Sequence, residues 1–252
     1  MVDYLAIILA LLALSGILYL ARILRRVNKK LNTIVSIEKD VRHNTKELEK
    51  SIRQSYRQGE AFAQLISLLK FEAPLPPTRN WAASPDLLLT LHHHAQRTSP
   101  RVILDLGSGL STLVLAKSAP AAQVISIDNS PEFAAKTAQV LLDHKISNVD
   151  LRVAPLVPHS SGVDWYQPSA LSGITEINLL FIDGPPGSKN PAARHPAFDE
   201  CLRLLAPDAI VIIDDVGRDG EREMAEKFAA SLPHHTLEYL SHEKGTAVIL
   251  PR

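Results

Sequence analysis

The chain opens with an uninterrupted apolar segment, residues 4–21, that contains no charged side chain. A bilayer core of about 30 Å is crossed by a helix of about 20 residues, so this segment is long enough to span a membrane. Asp3 precedes it, whereas a cleaved signal peptide carries cations there. Five cations follow with no acid among them: Arg22, Arg25, Arg26, Lys29 and Lys30. By the positive-inside rule we predict a transmembrane anchor over residues 1–21, single-pass, with the rest of the chain in the cytoplasm.

Polar residues dominate the next segment, residues 22–73, in which apolar side chains recur every seven positions. One heptad position, interrupted by Ser55, holds Val27, Ile34, Val41, Leu48, Phe62 and Leu69. The partner position is poorer, since only Leu31, Ile52 and Ile66 are apolar there. This pattern predicts a long stalk helix, ended by the prolines of residues 74–77. It leaves open a coiled coil in a homodimer, a helix packed on its own domain, and a helix lying on the membrane surface.

From residue 74 to 252, short apolar runs alternate with segments of helical period. The apolar runs predict strands at residues 102–106, 123–128, 150–153, 177–183, 209–214, 236–240 and 246–250. Between them we predict helices at residues 85–97, 110–117, 131–143, 196–205 and 221–231. Such alternation is typical of an α/β domain with a mostly parallel sheet covered on both faces. The last two strands are joined by a short turn and should form an antiparallel hairpin. The predicted fold is therefore a Rossmann-like, seven-stranded sheet.

Composition removes several classes of function. The chain of 252 residues carries 27 Lys and Arg against 27 Asp and Glu, and no basic stripe interleaved with aromatics marks its C-terminal part. Both observations argue against a nucleic-acid partner. The single cysteine, Cys201, excludes an intramolecular disulfide. It falls in a predicted helix, where a buried structural thiol is the usual case.

The turn after the strand at residues 102–106 is the main candidate for ligand binding. Its candidate residues are Asp105, Gly107, Ser108, Gly109, Ser111 and Thr112. Glycines between a strand and a helix let a ligand approach the backbone closely. The third glycine of a dinucleotide fingerprint is missing, and hydroxyls stand in its place. Asp128, with Asn129 beside it, ends the next strand near the spacing at which a carboxylate meets ribose hydroxyls. A nucleoside with a charged amino-acid tail fits this set, so we predict S-adenosylmethionine.

Five segments extend this interpretation to most of the domain. They are LDLGSGLSTLVLA, VISIDNSPEFAAKT, NLLFIDGPPG with RHPA after it, IVIIDDVGRDGERE and EKGTAVIL. In this order they resemble the class I S-adenosylmethionine-dependent methyltransferases, and in particular a bacterial branch with IDGPPG and DDxxRxxE elements. The resemblance covers about residues 75–252 and implies a methyltransferase domain over residues 74–252. It does not imply a particular methyl acceptor.

The acids that end the later strands suggest a metal. Strands of a parallel sheet place their carboxyl ends at one edge, so Asp183, Asp214 and Asp215 should converge there. The resemblance extends to the catechol-type O-methyltransferases, and it implies that these three acids hold Mg²⁺ next to the acceptor. The chain departs from that pattern in two ways: the last ligand is usually Asn, and Pro186 stands where the lysine base is expected.

The three acids have an alternative role that needs no metal. Their carboxylates can instead form ion pairs with Arg194 or Arg218. Without a metal, another residue must act as the general base that takes the proton of the acceptor. His195 is the candidate, because the pKa of histidine lies near neutral pH, and Asp183 and His195 are therefore the two predicted catalytic residues. The other interpretation of His195 is a surface residue that caps the helix at residues 196–205. The consecutive histidines at residues 92–94 point in different directions on a helix and cannot share an ion.

Three aromatic residues lie in segments that can close over the site, Trp81, Trp165 and Tyr166. They serve equally well as half-buried packing residues. The sequence as a whole predicts a membrane-anchored methyltransferase that acts at oxygen on a small molecule or on a glycan or lipid precursor. A catalytically silent membrane scaffold and a nicotinamide-dependent oxidoreductase are the alternatives.

Overall fold

The computed structural model describes residues 2–79, 81–187 and 190–252, without the side chains of residues 2 and 3. The chain divides into two compact units, and the division falls between Ser55 and Tyr56. In the first unit the described residues form a single helix, the N-terminal part of α1 (Val2–Leu68). Its apolar N-terminal segment is unburied, and α1 is the one helix in the described ranges that is long and apolar enough to cross a membrane.

The second unit begins earlier than the predicted boundary between residues 73 and 74. The last part of α1 belongs to it, and Leu65 and Leu69 are buried in the same core as Leu87 and Leu91. Leu69 occupies one of the heptad positions, but its apolar side chain is buried within the second unit. At Leu69, just beyond the end of α1, the heptad pattern therefore reflects packing within the second unit, whereas Ile66 at the partner position is exposed.

Seven strands form the main sheet, and the described residues contain nine strands in all. They are β1 (Val102–Leu106), β2 (Gln123–Asp128), β3 (Val149–Val153), β4 (Leu156–Pro158), β5 (Asp164–Tyr166), β6 (Ile177–Ile182), β7 (Leu205–Asp214), β8 (His235–Leu240) and β9 (Thr246–Pro251). The order in the main sheet is β3-β2-β1-β6-β7-β9-β8. The pairs from β3 to β7 are parallel, and β9 runs antiparallel to β7 and β8. The predicted fold class is confirmed.

Helices cover both faces of this sheet. They are α2 (Pro85–Thr98), α3 (Leu110–Ser118), α4 (Pro131–Asp143), α5 (Pro196–Cys201) and α6 (Asp219–Ser231). Successive side chains of a strand point to opposite faces. Accordingly, Ile103 joins the core that contains Leu113 of α3, while its neighbour Leu104 joins the core that contains Phe228 of α6. Both faces of β1 are thus buried, as expected for a strand inside a parallel sheet.

Two local features differ from the sequence prediction. The helix predicted over residues 196–205 ends at Cys201, and after a short 3₁₀ turn Leu205 already begins β7. Strands β4 and β5 form a separate antiparallel hairpin that was not predicted. Each has three residues, which is too short for an alternating pattern to be recognised.

Candidate functional site

A cavity of about 620 Å³ opens where the carboxyl ends of β1, β2, β6 and β7 meet. Its described lining residues are Trp81, Gly107, Ser108, Asp128, Asn129, Ser130, Phe133, Tyr166, Asp183, Gly184, Pro186, Gly187, Arg194, Asp215, Arg218 and Lys244. Six of the residues predicted for the site are among them: Gly107, Ser108, Asp128, Asn129, Asp183 and Asp215. This is the edge at which open α/β sheets bind their ligands.

The floor of the cavity is formed by two loops in backbone contact. Gly107, after β1, has φ +106°, a conformation that favours glycine. A Cβ atom at Gly107 would lie 3.0 Å from the backbone N of Gly184, and one at Gly184 would lie 2.9 Å from the Cα of Gly107. The same Cβ at Gly184 would overlap the hydroxyl of Tyr166. Side chains are therefore excluded at Gly107 and Gly184, and both positions line the cavity with bare backbone.

Asp128 connects the first of these loops to the start of α4. Its Oδ2 accepts hydrogen bonds from the backbone N–H of Ser108 (3.1 Å) and from the Ser108 hydroxyl (2.6 Å). Its Oδ1 accepts from the backbone N–H of Ser130 (2.8 Å), and the hydroxyl of Ser130 caps α4. Asp128 is 7% exposed and lines the cavity. It is held in a fixed orientation with lone pairs left for a ligand.

Asp105 lies behind the loop, outside the described lining of the cavity. Its carboxylate is fully buried and accepts hydrogen bonds from the hydroxyls of Thr112 (2.6 Å), Ser126 (3.2 Å) and Ser111 (3.4 Å). Burial raises the pKa of Asp105 to about 7, against the opposing effect of these hydroxyls. The backbone N–H of Gly109 donates to the Thr112 hydroxyl (3.0 Å). In this structure these four predicted binding residues, Asp105, Gly109, Ser111 and Thr112, shape the loop from beneath.

The three acids predicted to hold a metal do converge. One carboxylate oxygen each from Asp183, Asp214 and Asp215 lies within 4.8 Å of the others. Burial raises the pKa of Asp214 to about 8 and that of Asp183 to about 6. Both oxygens of Asp214 lack a hydrogen-bond partner in the described part of the chain, so neutralisation by a proton suits this residue.

A buried cation already occupies this cluster. The Nη2 atom of Arg194 lies 3.0 Å from Asp183 Oδ1 and 3.0 Å from Asp215 Oδ2. Burial alone would lower the pKa of the Arg194 guanidinium, but the carboxylates around it raise that pKa above its ordinary value. The ion-pair alternative of the sequence analysis is therefore realised for Arg194 and also for Arg218, whose Nη1 lies 3.0 Å from Asp215 Oδ2. Two of the three expected ligands are thus committed to guanidinium groups, and the residues fit Mg²⁺ poorly.

His195 points away from the cavity. Its Nε2 donates a hydrogen bond to the carbonyl of Gly220 in α6 (3.1 Å), and the residue lies outside the described cavity lining. Its backbone stands at the start of α5, but its side chain makes no capping hydrogen bond there. The structure places its side chain against α6, where it fixes the turn that delivers Arg194.

Two residues on the cavity wall carry chemistry that the sequence analysis did not assign to them. Tyr166 is 3% exposed, and its hydroxyl has no hydrogen-bond partner within the described ranges. Burial, followed by the nearby Asp128, raises its pKa well above the ordinary value, so it is a neutral donor. Lys244, from the turn between β8 and β9, has its Nζ 3.6 Å from Asp214 Oδ2. The sequence analysis placed Tyr166 in a segment that can close over the site but gave its hydroxyl no role, and no local pattern marks Lys244.

Comparisons with known proteins agree with this geometry. Residues 104–216 match the family model described as a methyltransferase domain. The chain has a Rossmann-like methyltransferase fold. No curated protein matches it at a significant level.

Three solved structures share this methyltransferase fold. The O-methyltransferase TomG from Streptomyces achromogenes, in complex with S-adenosylmethionine, is 20% identical with a TM-score of 0.53, covering 77% of this chain and 88% of its own. The Bacillus cereus O-methyltransferase in complex with S-adenosylhomocysteine is 18% identical with a TM-score of 0.55, over 77% and 91%. The S-adenosylhomocysteine-bound Podospora anserina methyltransferase PaMTH1 is 17% identical with a TM-score of 0.57, over 81% and 96%.

Proposed function

We propose that this chain is an S-adenosylmethionine-dependent methyltransferase that acts at oxygen. The observation that carries the proposal is the cavity whose floor is the bare backbone at Gly107 and Gly184, with the oriented carboxylate of Asp128 on its wall. A nucleoside cofactor needs close backbone approach and an acid for its ribose hydroxyls, and this cavity offers both. The matched methyltransferase domain and the cofactor-bound structural neighbours support the same assignment.

Different residues of the cavity bind the ribose, the nucleoside and the amino-acid tail of the cofactor. Asp128 accepts the ribose hydroxyls, and Asn129 extends the same wall toward the nucleoside. Gly107 and Ser108 present backbone to the amino-acid tail, while Asp105 keeps the loop in shape from beneath. The unpartnered hydroxyl of Tyr166 gains a ligand acceptor when the cavity is filled, which removes the cost of a buried donor without a partner.

S-Adenosylmethionine supplies an activated methyl group on a sulfonium. The chain then needs only to align the acceptor oxygen with that methyl group and to exclude water, and such alignment contributes at most about 7–11 kcal/mol. Asp183 lies on the cavity wall beside Gly184, held by Arg194, and is placed to accept the proton of an acceptor hydroxyl. The acceptor class is a small molecule or a glycan or lipid precursor, and the anchor favours one near the membrane.

Calorimetry on the full chain in detergent tests the cofactor assignment. We expect S-adenosylmethionine and S-adenosylhomocysteine to bind saturably with one site per chain, and NAD⁺ to give no heat. A nicotinamide cofactor that binds in their place would favour an oxidoreductase. A folded chain that binds neither S-adenosyl compound would contradict the proposal and favour the membrane scaffold.

We also propose that residues 4–21 of α1 span the membrane and that the second unit faces the cytoplasm. The apolar side chains of this segment are exposed in the structure, and five cations follow it. We expect the chain to stay in the membrane pellet after alkaline carbonate extraction. Leu11→Lys with Leu14→Lys should release it, because a lysine at the bilayer centre costs about 2.5–3.5 kcal/mol. The control Leu31→Lys with Val35→Lys changes the same helix outside the span and should leave the chain in the pellet; release by both pairs would argue against the anchor.

A further inference from the structure

Arg194 is unusually constrained for an arginine on a cavity wall. Its side chain is 4% exposed, and its guanidinium reaches three carboxylates, those of Asp183, Asp215 and Glu221, the last at 3.7 Å. Its Nε donates to the carbonyl of Pro185 (3.2 Å) and its Nη1 to the carbonyl of Asp214 (3.4 Å). The guanidinium therefore ties together the ends of β6 and β7 and the first turn of α6.

The turn that carries Arg194 is fixed by its neighbours. The Nε2 of His195 donates to the carbonyl of Gly220, and a Cβ atom at Gly220 would overlap the carbonyl oxygen of Pro191. The start of α6 thus packs against the turn without room for a side chain. This packing fixes the backbone of Arg194, and its guanidinium cannot leave the acid cluster without breaking its ion pairs with Asp183 and Asp215.

The carboxylates of Asp183 and Asp215, which pair with Arg194, would also be ligands of a divalent ion in this cluster. Mg²⁺ binds carboxylate oxygens at about 2.0–2.1 Å in near-ideal octahedral geometry. Here Asp183 Oδ1 already accepts a hydrogen bond from Nη2 of Arg194, and Asp215 Oδ2 forms an ion pair with the same atom at 3.0 Å. Arg218 and Lys244 add two further positive charges beside Asp214 and Asp215. An ion with two positive charges would be repelled by three cations and would have to compete for oxygens that are already bonded.

We propose that Arg194 is the resident cation of this acid cluster, so that the chain takes no divalent metal here while the guanidinium is in place. The arginine neutralises and positions Asp183 and Asp215, the task that a metal would have in a site of three bare carboxylates. This inference concerns the acid cluster of the proposed active site. Metal binding measured without cofactor or acceptor keeps its failure distinguishable from failure of the proposed function.

Electron paramagnetic resonance of Mn²⁺ titrated into the full chain in detergent tests the proposal. We expect no stoichiometric site in the wild-type chain. Arg194→Met keeps most of the side-chain volume but removes the charge, and it should create one Mn²⁺ site at least about tenfold tighter than any wild-type binding. Adding Asp183→Asn to that variant should remove the site. Arg218→Met is the matched control: it removes a cation bonded to the same Asp215 but leaves Arg194, and it should bind no Mn²⁺.

Three results would overturn the proposal. The first is a wild-type Mn²⁺ site that Asp183→Asn abolishes. The second is a folded Arg194→Met chain without a Mn²⁺ site, because something other than the guanidinium would then exclude the ion. If Arg194→Met unfolds because its buried carboxylates lose their partner, we expect Mn²⁺ to restore its circular dichroism spectrum, and failure to restore it is the third.

Discussion

Replacing Asp128 by alanine is expected to lower the affinity for S-adenosylmethionine by at least about 100-fold. Hydrogen bonds to a charged group contribute about 1.5–3 kcal/mol each, and the proposed function gives this carboxylate two ribose hydroxyls. Calorimetry on Asp128→Ala and the wild-type chain measures the loss. Asp150→Ala is the matched control, since Asp150 lies on the adjacent strand β3, bonds Arg152 and is outside the described cavity lining. Its affinity should equal that of the wild type.

A second variant separates the ribose contact from the shape of the loop. Asp128 also accepts from the N–H and the hydroxyl of Ser108, so its loss disturbs the loop as well. Ser108→Ala removes the hydroxyl bond but keeps both the carboxylate and the backbone N–H. We expect it to lower the affinity by less than about tenfold, because the Ser108–Asp128 bond is already made without the ligand and both proposed ribose contacts remain. Asp128→Ala binding as well as the wild type would remove Asp128 from the cofactor site.

Gly184→Ala is expected to destabilise the second unit by about 3 kcal/mol. The new Cβ atom would overlap the Tyr166 hydroxyl and lie 2.9 Å from the Cα of Gly107, whose backbone cannot yield easily. Overpacking of this kind costs about 1–3 kcal/mol and occasionally more. For a domain of this size the midpoint of thermal unfolding should fall by about 6–12 °C. Circular dichroism on the full chain measures this shift.

Gly109→Ala is the control in the same loop region. A Cβ atom at Gly109 has no neighbour within 4 Å, and its φ of 162° is extended backbone that alanine adopts freely. Its unfolding midpoint should match or slightly exceed the wild-type value, because alanine lowers the entropy of the unfolded chain. Adding Tyr166→Phe to Gly184→Ala should recover part of the loss by removing the overlapping oxygen. Equal midpoints for the two alanine variants would contradict the loop contact.

The sheet and the place of the site were predictable because their signals are local. The bounds of β1, β2 and α4 follow from apolar runs and from the proline at the start of α4, and the structure reproduces them. Parallel strands share one edge for their carboxyl ends, so the positions of Asp128, Asp183 and Asp215 along the chain already brought them to the same cavity. Short irregular elements carried no such signal, and the hairpin of β4 and β5 was missed.

The roles of individual acids were decided by contacts between distant segments. Asp105 and Asp128 both stand near the end of a strand after an apolar run, yet only Asp128 lines the cavity. The register of β1 on β2 places Asp105 opposite Ser126, and α3 adds the hydroxyl of Thr112, so this carboxylate is satisfied inside the protein. Neither contact is visible in the order of residues along the chain.

Arg194, the cation of the acid cluster, shows most clearly what the sequence determined and what only the tertiary structure determined. Sequence alone determined that the strands end in acids at one edge, because periodicity and strand direction are properties of short segments. It named Arg194 as a possible partner of the acids and His195 as a possible base, but it could not decide which of the two faces the cluster. Only the tertiary structure turned Arg194 into the cluster and His195 toward Gly220, since neighbouring side chains leave the backbone in different directions. The packing of the turn decides which of two adjacent residues contacts a distant carboxylate. In this protein the turn packs against the start of α6.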